Sequence, residues 1–91
     1  MGRTELPGRE QRIEFENWLR RREYTPRTVR DICCRLRRVR QTLGLSEIGR
    51  DTEGQITREN FPGCRSASVL SQLRRSVRLW NEYREEYPDA D

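Results

Sequence analysis

The segment 24-YTPRTVRDICCRLRRVRQTL-43 decides how this chain folds, because at about 100° per residue it sorts its side chains onto two sides of one helix. Val29, Ile32, Cys33, Leu36, Val39 and Leu43 share one stripe, and Arg27, Arg30, Cys34, Arg37, Arg38 and Gln41 share the other. Thr25 stands at the N-cap, where a hydroxyl accepts from the unpaired amides of the first turn, and Pro26 suits the first helical position, where its missing N–H costs nothing. Gly44 follows the last apolar position and is free to take the left-handed conformation that closes a helix. The segment therefore predicts a rod of about 17 residues and about 25 Å, with one packed side and one wet side.

Working back from the rod, residues 9–23 predict a first helix whose apolar cluster is Phe15, Trp18 and Leu19, edged by Gln11 and Arg22. Glu16 is placed to pair with Arg20 at i, i+4, and Ile13 falls outside the stripe. Phe15 and Trp18 lie on the face opposite Glu10 and Glu14, which marks them as core aromatics. Only Glu23 and Tyr24 separate this helix from the Thr25 cap, so the two helices are expected to pair as an antiparallel hairpin. Residues 1–8, with Pro7 and Gly8, read as a flexible N-terminal arm.

Working forward, four glycines, Gly63 among them, and Pro62 interrupt the apolar pattern of residues 44–64. A loop is expected, with at most one short helical turn at 57–61. Leu45, Ile48, Ile56 and Phe61 anchor it, and 50–54, which has no periodicity, is expected to be mobile. A last helix begins at a Ser66 or Ser68 cap and runs to about Tyr87, where Pro88 ends it. Its seam reads Val69, Leu70, Leu73, Val77, Trp80, Arg84 and Tyr87, with Ser68, Ser71, Gln72, Arg75, Arg78 and Glu82 away from it. Residues 88–91 form a short acidic tail.

Composition narrows the function. Ninety-one residues make one domain, 9–87, with a thin core, and Leu, Ile, Val and Phe together number 18. The net charge of +4 rests on 19 arginines with no lysine. Arginine offers a planar fork of donors that matches phosphate or a guanine edge, although codon bias in a GC-rich genome produces the same lack of lysine. Three cysteines, two of them adjacent and none at metal-ligand spacing, predict a reducing cytoplasm rather than a disulfide framework. No apolar run reaches the length of a signal sequence or membrane span. Histidine is absent, and with it any Ser-His or Cys-His pair; no glycine-rich phosphate loop is present, so no catalytic residue, metal or cofactor is expected.

Two stretches, 15-FENWLRRREYTPRTVRDICCRLRRVRQTLGL-45 and 66-SASVLSQLRRSVRLWNEY-83, together resemble the N-terminal core-binding, or SAM-like, domain of tyrosine recombinases of the phage integrase group. In that family a first helix ending in a Trp-Leu pair passes through a Ser or Thr turn into the second helix. Thr25 and Thr28 occupy those turn positions here, followed by Val29, Ile32, Leu36 and Val39. Leu73, Val77 and Trp80 match the apolar slots of the family's fourth helix. The resemblance implies an all-α, four-helix domain of two crossed hairpins, which forms one half of a clamp around duplex DNA and faces it with the second and fourth helices. The third helix is expected to be short, because Pro62 and Gly63 interrupt it. Strand cleavage and rejoining would belong to a C-terminal catalytic domain of the same parent protein, which carries the Arg, His and Tyr of the phosphotyrosine chemistry. Tyr24, Tyr83 and Tyr87 read as packing residues.

The basic face and the resemblance converge on DNA binding within a site-specific recombinase. Arg27, Arg30, Arg37 and Arg38 are expected at phosphates or guanine edges, with Thr28, Cys34 and Gln41 lining the groove between them. Ser68, Gln72, Arg75 and Arg78 would contribute from the last helix. The expected partners are double-stranded DNA and the catalytic domain, with weak self-association on DNA and no membrane. The alternative is a helical protein–protein interaction module, in which the arginines meet an acidic partner and the 69–87 seam continues across a homodimer.

Overall fold

A computed structural model of the chain describes residues 7–64 and 66–87. Three α-helices carry the architecture: α1 (Pro7–Arg21), α2 (Pro26–Leu43) and α3 (Ala67–Glu86). α2 packs against both α1 and α3, and α3 also packs against α1. Its inner stripe, Val29, Ile32, Leu36 and Val39, is buried as the spacing predicts. Phe15, Trp18 and Leu19 of α1 close the core from one side, and Leu70, Leu73, Val77 and Tyr83 of α3 from another. Ile13, outside the α1 stripe, remains 49% exposed.

α1 ends through a left-handed residue that is not glycine. Glu23 adopts φ 71°, its amide donates to the Arg20 carbonyl at 2.9 Å, and the Tyr24 amide reaches back to Leu19 at 3.3 Å. That six-to-one bond is the Schellman closure, usually built on glycine. It turns the chain directly into the Thr25 cap, so α1 stops at Arg21, two residues earlier than its sequence pattern suggests. At the other end α1 begins at Pro7, which the sequence assigned to the arm and which the first helical turn tolerates. Gln11 lies outside the described side chains.

Among the described residues there are three α-helices, not four. Where a short third helix was expected there is a single 3-10 turn, Thr52–Gln55, overlapping the segment 50–54 expected to be mobile. The turn expected at 57–61 is one isolated closure, with the Phe61 amide on the Thr57 carbonyl at 2.9 Å. Polar fastenings, which leave no periodic trace, hold this region. The buried Thr52 hydroxyl accepts from the Gly49 amide at 2.9 Å, and Asn60 donates to the Gln55 carbonyl at 2.8 Å. Arg74 forks onto the Ile56 carbonyl at 3.1 and 2.8 Å, and Asn81 reaches the Gly49 carbonyl at 3.2 Å. Ile48, Ile56, Phe61 and Cys64 plug the loop into the core, while Leu45 is half-buried.

The α3 seam is shifted from its expected line. Tyr83 is 1% exposed, whereas Arg84 is only half-buried and Tyr87 is 41% exposed. Ser76 and Leu79 are also buried, since α3 is covered on more than one side; the Ser76 hydroxyl is satisfied by the Gln72 carbonyl at 3.0 Å. Tyr83 packs edge-on against Phe15 and Trp18 with ring centroids 5.4 and 5.8 Å apart, and Trp80 meets Phe15 at 5.0 Å. Such pairs each contribute about 0.5–1.5 kcal/mol beyond their buried area. Their polar ends are matched as well: the Tyr83 hydroxyl donates to Glu14 at 3.0 Å, and the Trp18 indole N–H donates to Glu86 at 3.0 Å.

Candidate nucleic-acid interface

The orientation of α2 is set at both ends and along its inner stripe. Thr25, at φ −69° and ψ 157°, accepts from the Thr28 amide at 3.2 Å, and Gly44 closes the helix at φ 68° with the Leu45 amide on the Arg40 carbonyl at 2.9 Å. With the stripe buried, rotation about the axis is fixed. Arg27, Arg30, Cys34, Arg37, Arg38 and Gln41 are then all exposed on the far side.

Several of the described carboxylates are engaged away from α2. Glu16 takes Arg12 and Arg20, at 3.6 and 4.0 Å, the second being the pair read from the sequence. Glu82 and Glu86 hold Arg22 at 3.2 and 3.1 Å, with that guanidinium also 4.1 Å from the centre of the Trp18 ring. Glu85 pairs with Arg50 and Glu53 with Arg78. Among the described residues no ion pair includes an arginine of α2, which carries six arginines against the single Asp31. The outer side of α2 is therefore a concentration of positive charge that the fold itself does not neutralise.

The remaining predicted residues fall into different environments. Thr28 is half-buried and its hydroxyl accepts from Thr25 Oγ1 at 2.9 Å, which makes it part of the cap. Arg38 leans sideways and donates to Cys64 Sγ at 3.1 Å. On α3, Ser68 and Gln72 are exposed, Ser68 in the first turn with its amide on the Ser66 hydroxyl at 3.1 Å. Arg75 is exposed and outside every ion pair among the described residues, while Arg78 is held by Glu53. Arg75 and Arg78 border a groove of about 600 Å³ with Arg22, Tyr24, Ser71 and Arg74, which brings them beside the turn that leads into α2. Arg74 and Ser71 were missed in the sequence, although their spacing from Arg75 and Arg78 puts them on adjoining rows of α3. Arg40 was missed too; it is exposed on α2 beside a second pocket.

Two buried or half-buried groups among the described residues titrate above their ordinary range. Burial, and then the hydrogen bond to Glu14, push the Tyr83 phenol up to about 12, so it stays protonated and inaccessible. Burial followed by the Glu16 carboxylate, 3.8 Å from the sulfur, pushes the Cys33 thiol up to about 11. Among the described residues no group of three Cys, Asp or Glu stands close enough to hold a metal ion, and no helix is long and apolar enough to cross a membrane. Compared with family models, curated proteins and solved structures, the chain matches none.

Proposed function

We propose that this chain is the DNA-binding core-binding domain of a tyrosine recombinase of the phage integrase group, gripping duplex DNA through the outer side of α2. The observation that carries this reading is the row Arg27, Arg30 and Arg37, in no ion pair among the described residues, on a helix whose opposite side buries Val29, Ile32, Leu36 and Val39 in the core. Arg27 and Arg37 are ten residues apart, about 15 Å along the axis at 1.5 Å per residue. A B-DNA major groove is about 12 Å wide and admits one helix. Arginines at the two ends of the row then take phosphates on opposite walls, with Arg30 and Cys34 turned toward base edges between them and Gln41 just beyond Arg37.

Arg75, with Ser68 and Gln72, supplies a second line of contact from α3, and Arg78 joins it only by leaving Glu53. In this reading the SAM-like arrangement keeps its second and fourth helices as α2 and α3, and the Thr52–Gln55 turn stands where the third would be. Cleavage and rejoining belong to a separate catalytic domain of the parent protein, working in the cytoplasm.

The test is a fluorescence-anisotropy titration of labelled duplex DNA across a salt series. Binding is expected to weaken with a slope of about −0.9 per phosphate neutralised. The pair Arg27→Ala and Arg37→Ala should shallow the slope by about two phosphates' worth. Absence of binding at low salt, or affinity untouched by that pair, would refute the proposal. A tight dimer without DNA affinity in sedimentation would instead support the protein-interaction alternative.

A further inference from the structure

A pocket of about 470 Å³ opens beside the basic side of α2, and of its lining the DNA reading uses only Arg37. Its floor is Phe15, Leu36 and Ile48, all buried side chains, with the half-buried Trp80 as one wall. Cys33 adds a sulfur that donates to Glu16, so it contributes a neutral surface. Arg37 and Arg40 make one side of the rim cationic, facing Glu47, while Arg12 at the mouth is already paired with Glu16. Arg37 and Arg40 are one helical turn apart, and among the described residues neither is in an ion pair.

The combination selects a ligand chemistry. An apolar recess of a few hundred Å³ with a small number of polar groups at one side has the dimensions of a small-molecule site. A guanidinium fork binds a carboxylate through two parallel hydrogen bonds, and two forks one turn apart converge on one anionic group. A neutral apolar guest would leave the charged rim uncompensated, and a hydrophilic anion would leave the half-buried apolar surface of Trp80 and Cys33 unused. We infer that this pocket binds a small amphiphilic anion, an aryl or medium-chain alkyl carboxylate, with its hydrocarbon on the Phe15–Ile48–Trp80 floor and its carboxylate between Arg37 and Arg40.

The inference does not rest on the DNA reading; only Arg37 is common to both surfaces. Isothermal titration of the full chain with naphthalene-2-carboxylate is expected to show saturable 1:1 binding with a dissociation constant on the order of 0.1–1 mM. Naphthalene-2-methanol, with the same ring and no charge, should bind at least fivefold more weakly. Arg40→Gln should weaken the carboxylate about tenfold, and Ser46→Trp, which sets an indole on the exposed rim, should abolish binding without disturbing the core. Arg30→Gln, on the outer side of α2, should leave the carboxylate affinity unchanged while lowering DNA affinity, which separates failure of one idea from failure of the other.

No saturable heat up to about 5 mM overturns the inference, as does binding that survives both Arg40→Gln and Ser46→Trp. An acidic octapeptide with one central tryptophan that binds here tenfold tighter than the naphthoate overturns it in favour of a protein segment. A chain that self-associates through Trp80 in sedimentation overturns it in favour of a second copy.

Discussion

Arg38 donates to the sulfur of Cys64 at 3.1 Å, so one guanidinium of the basic row is bent onto the loop that precedes α3. Sulfur is a weak acceptor, and the contact is readily exchanged for a phosphate oxygen. Arg78, by contrast, is held by the full charge of Glu53.

The two arginines should therefore behave differently toward DNA. Arg38→Ala is expected to lower the salt slope by about 0.9, the loss of one phosphate contact. Arg78→Ala should change affinity much less, and Glu53→Gln should raise it by releasing Arg78. Anisotropy titrations of the three variants on one duplex check the order; equal losses for Arg38→Ala and Arg78→Ala would contradict it.

Glu23 and Gly44 occupy the same left-handed region, at φ 71° and 68°, but only one is a glycine. A side chain there costs about 1 kcal/mol, part of which glycine returns as extra freedom in the unfolded chain. Glu23→Gly should accordingly stabilise the protein by about 0.5 kcal/mol, raising Tm by about 3 °C. Gly44→Ala meets no atom within 4 Å, so its expected cost of about 1 kcal/mol is purely conformational. Thermal unfolding followed by circular dichroism reads both signs.

Tyr83 and Glu14 link α3 to α1 through one charge-assisted hydrogen bond. Tyr83→Phe should cost about 1.5 kcal/mol at neutral pH. Because the folded-state pKa is raised from 10.0 to about 12, the contribution is complete below pH 10 and is lost as pH rises toward 12. Urea midpoints measured between pH 8 and pH 11.5 should fall more steeply for the native chain than for the phenylalanine variant.

The cysteines should differ in reactivity. Cys34 is exposed on the arginine side of α2, Cys64 is buried, and Cys33 is a thiol pushed up to about 11. Since the thiolate is the nucleophile, one sulfur per chain should react rapidly with an aromatic disulfide reagent near neutral pH. Cys34→Ser should remove that fast phase and leave the slow ones.

What was legible in advance follows from helical period. In α2 the apolar and charged residues obey a single 3.6-residue repeat, with Thr25 and Gly44 as unambiguous ends, so its limits, its buried stripe and its exposed arginines could be read directly. The α1 aromatics were legible for the same reason. The 44–64 region resisted, because Thr52, Asn60, Arg74 and Asn81 fasten it by side-chain hydrogen bonds to backbone groups, which carry no period. Leu79 and Ser76 resisted because a helix covered on two sides has no single stripe.

The chain by itself therefore determined where three long helices lie to within about two residues, the two caps of α2 and the sorting of charge along α2, all properties of residues within one turn of each other. Tertiary structure alone decided which arginines remain unpaired, since Glu53 lies 25 residues from Arg78 and Cys64 lies 26 from Arg38. It also decided the pocket, whose lining draws on Phe15, Leu36, Ile48 and Trp80 from four separate parts of the chain. Such pairings are set by how helices pack rather than by local propensity, and no periodicity encodes them.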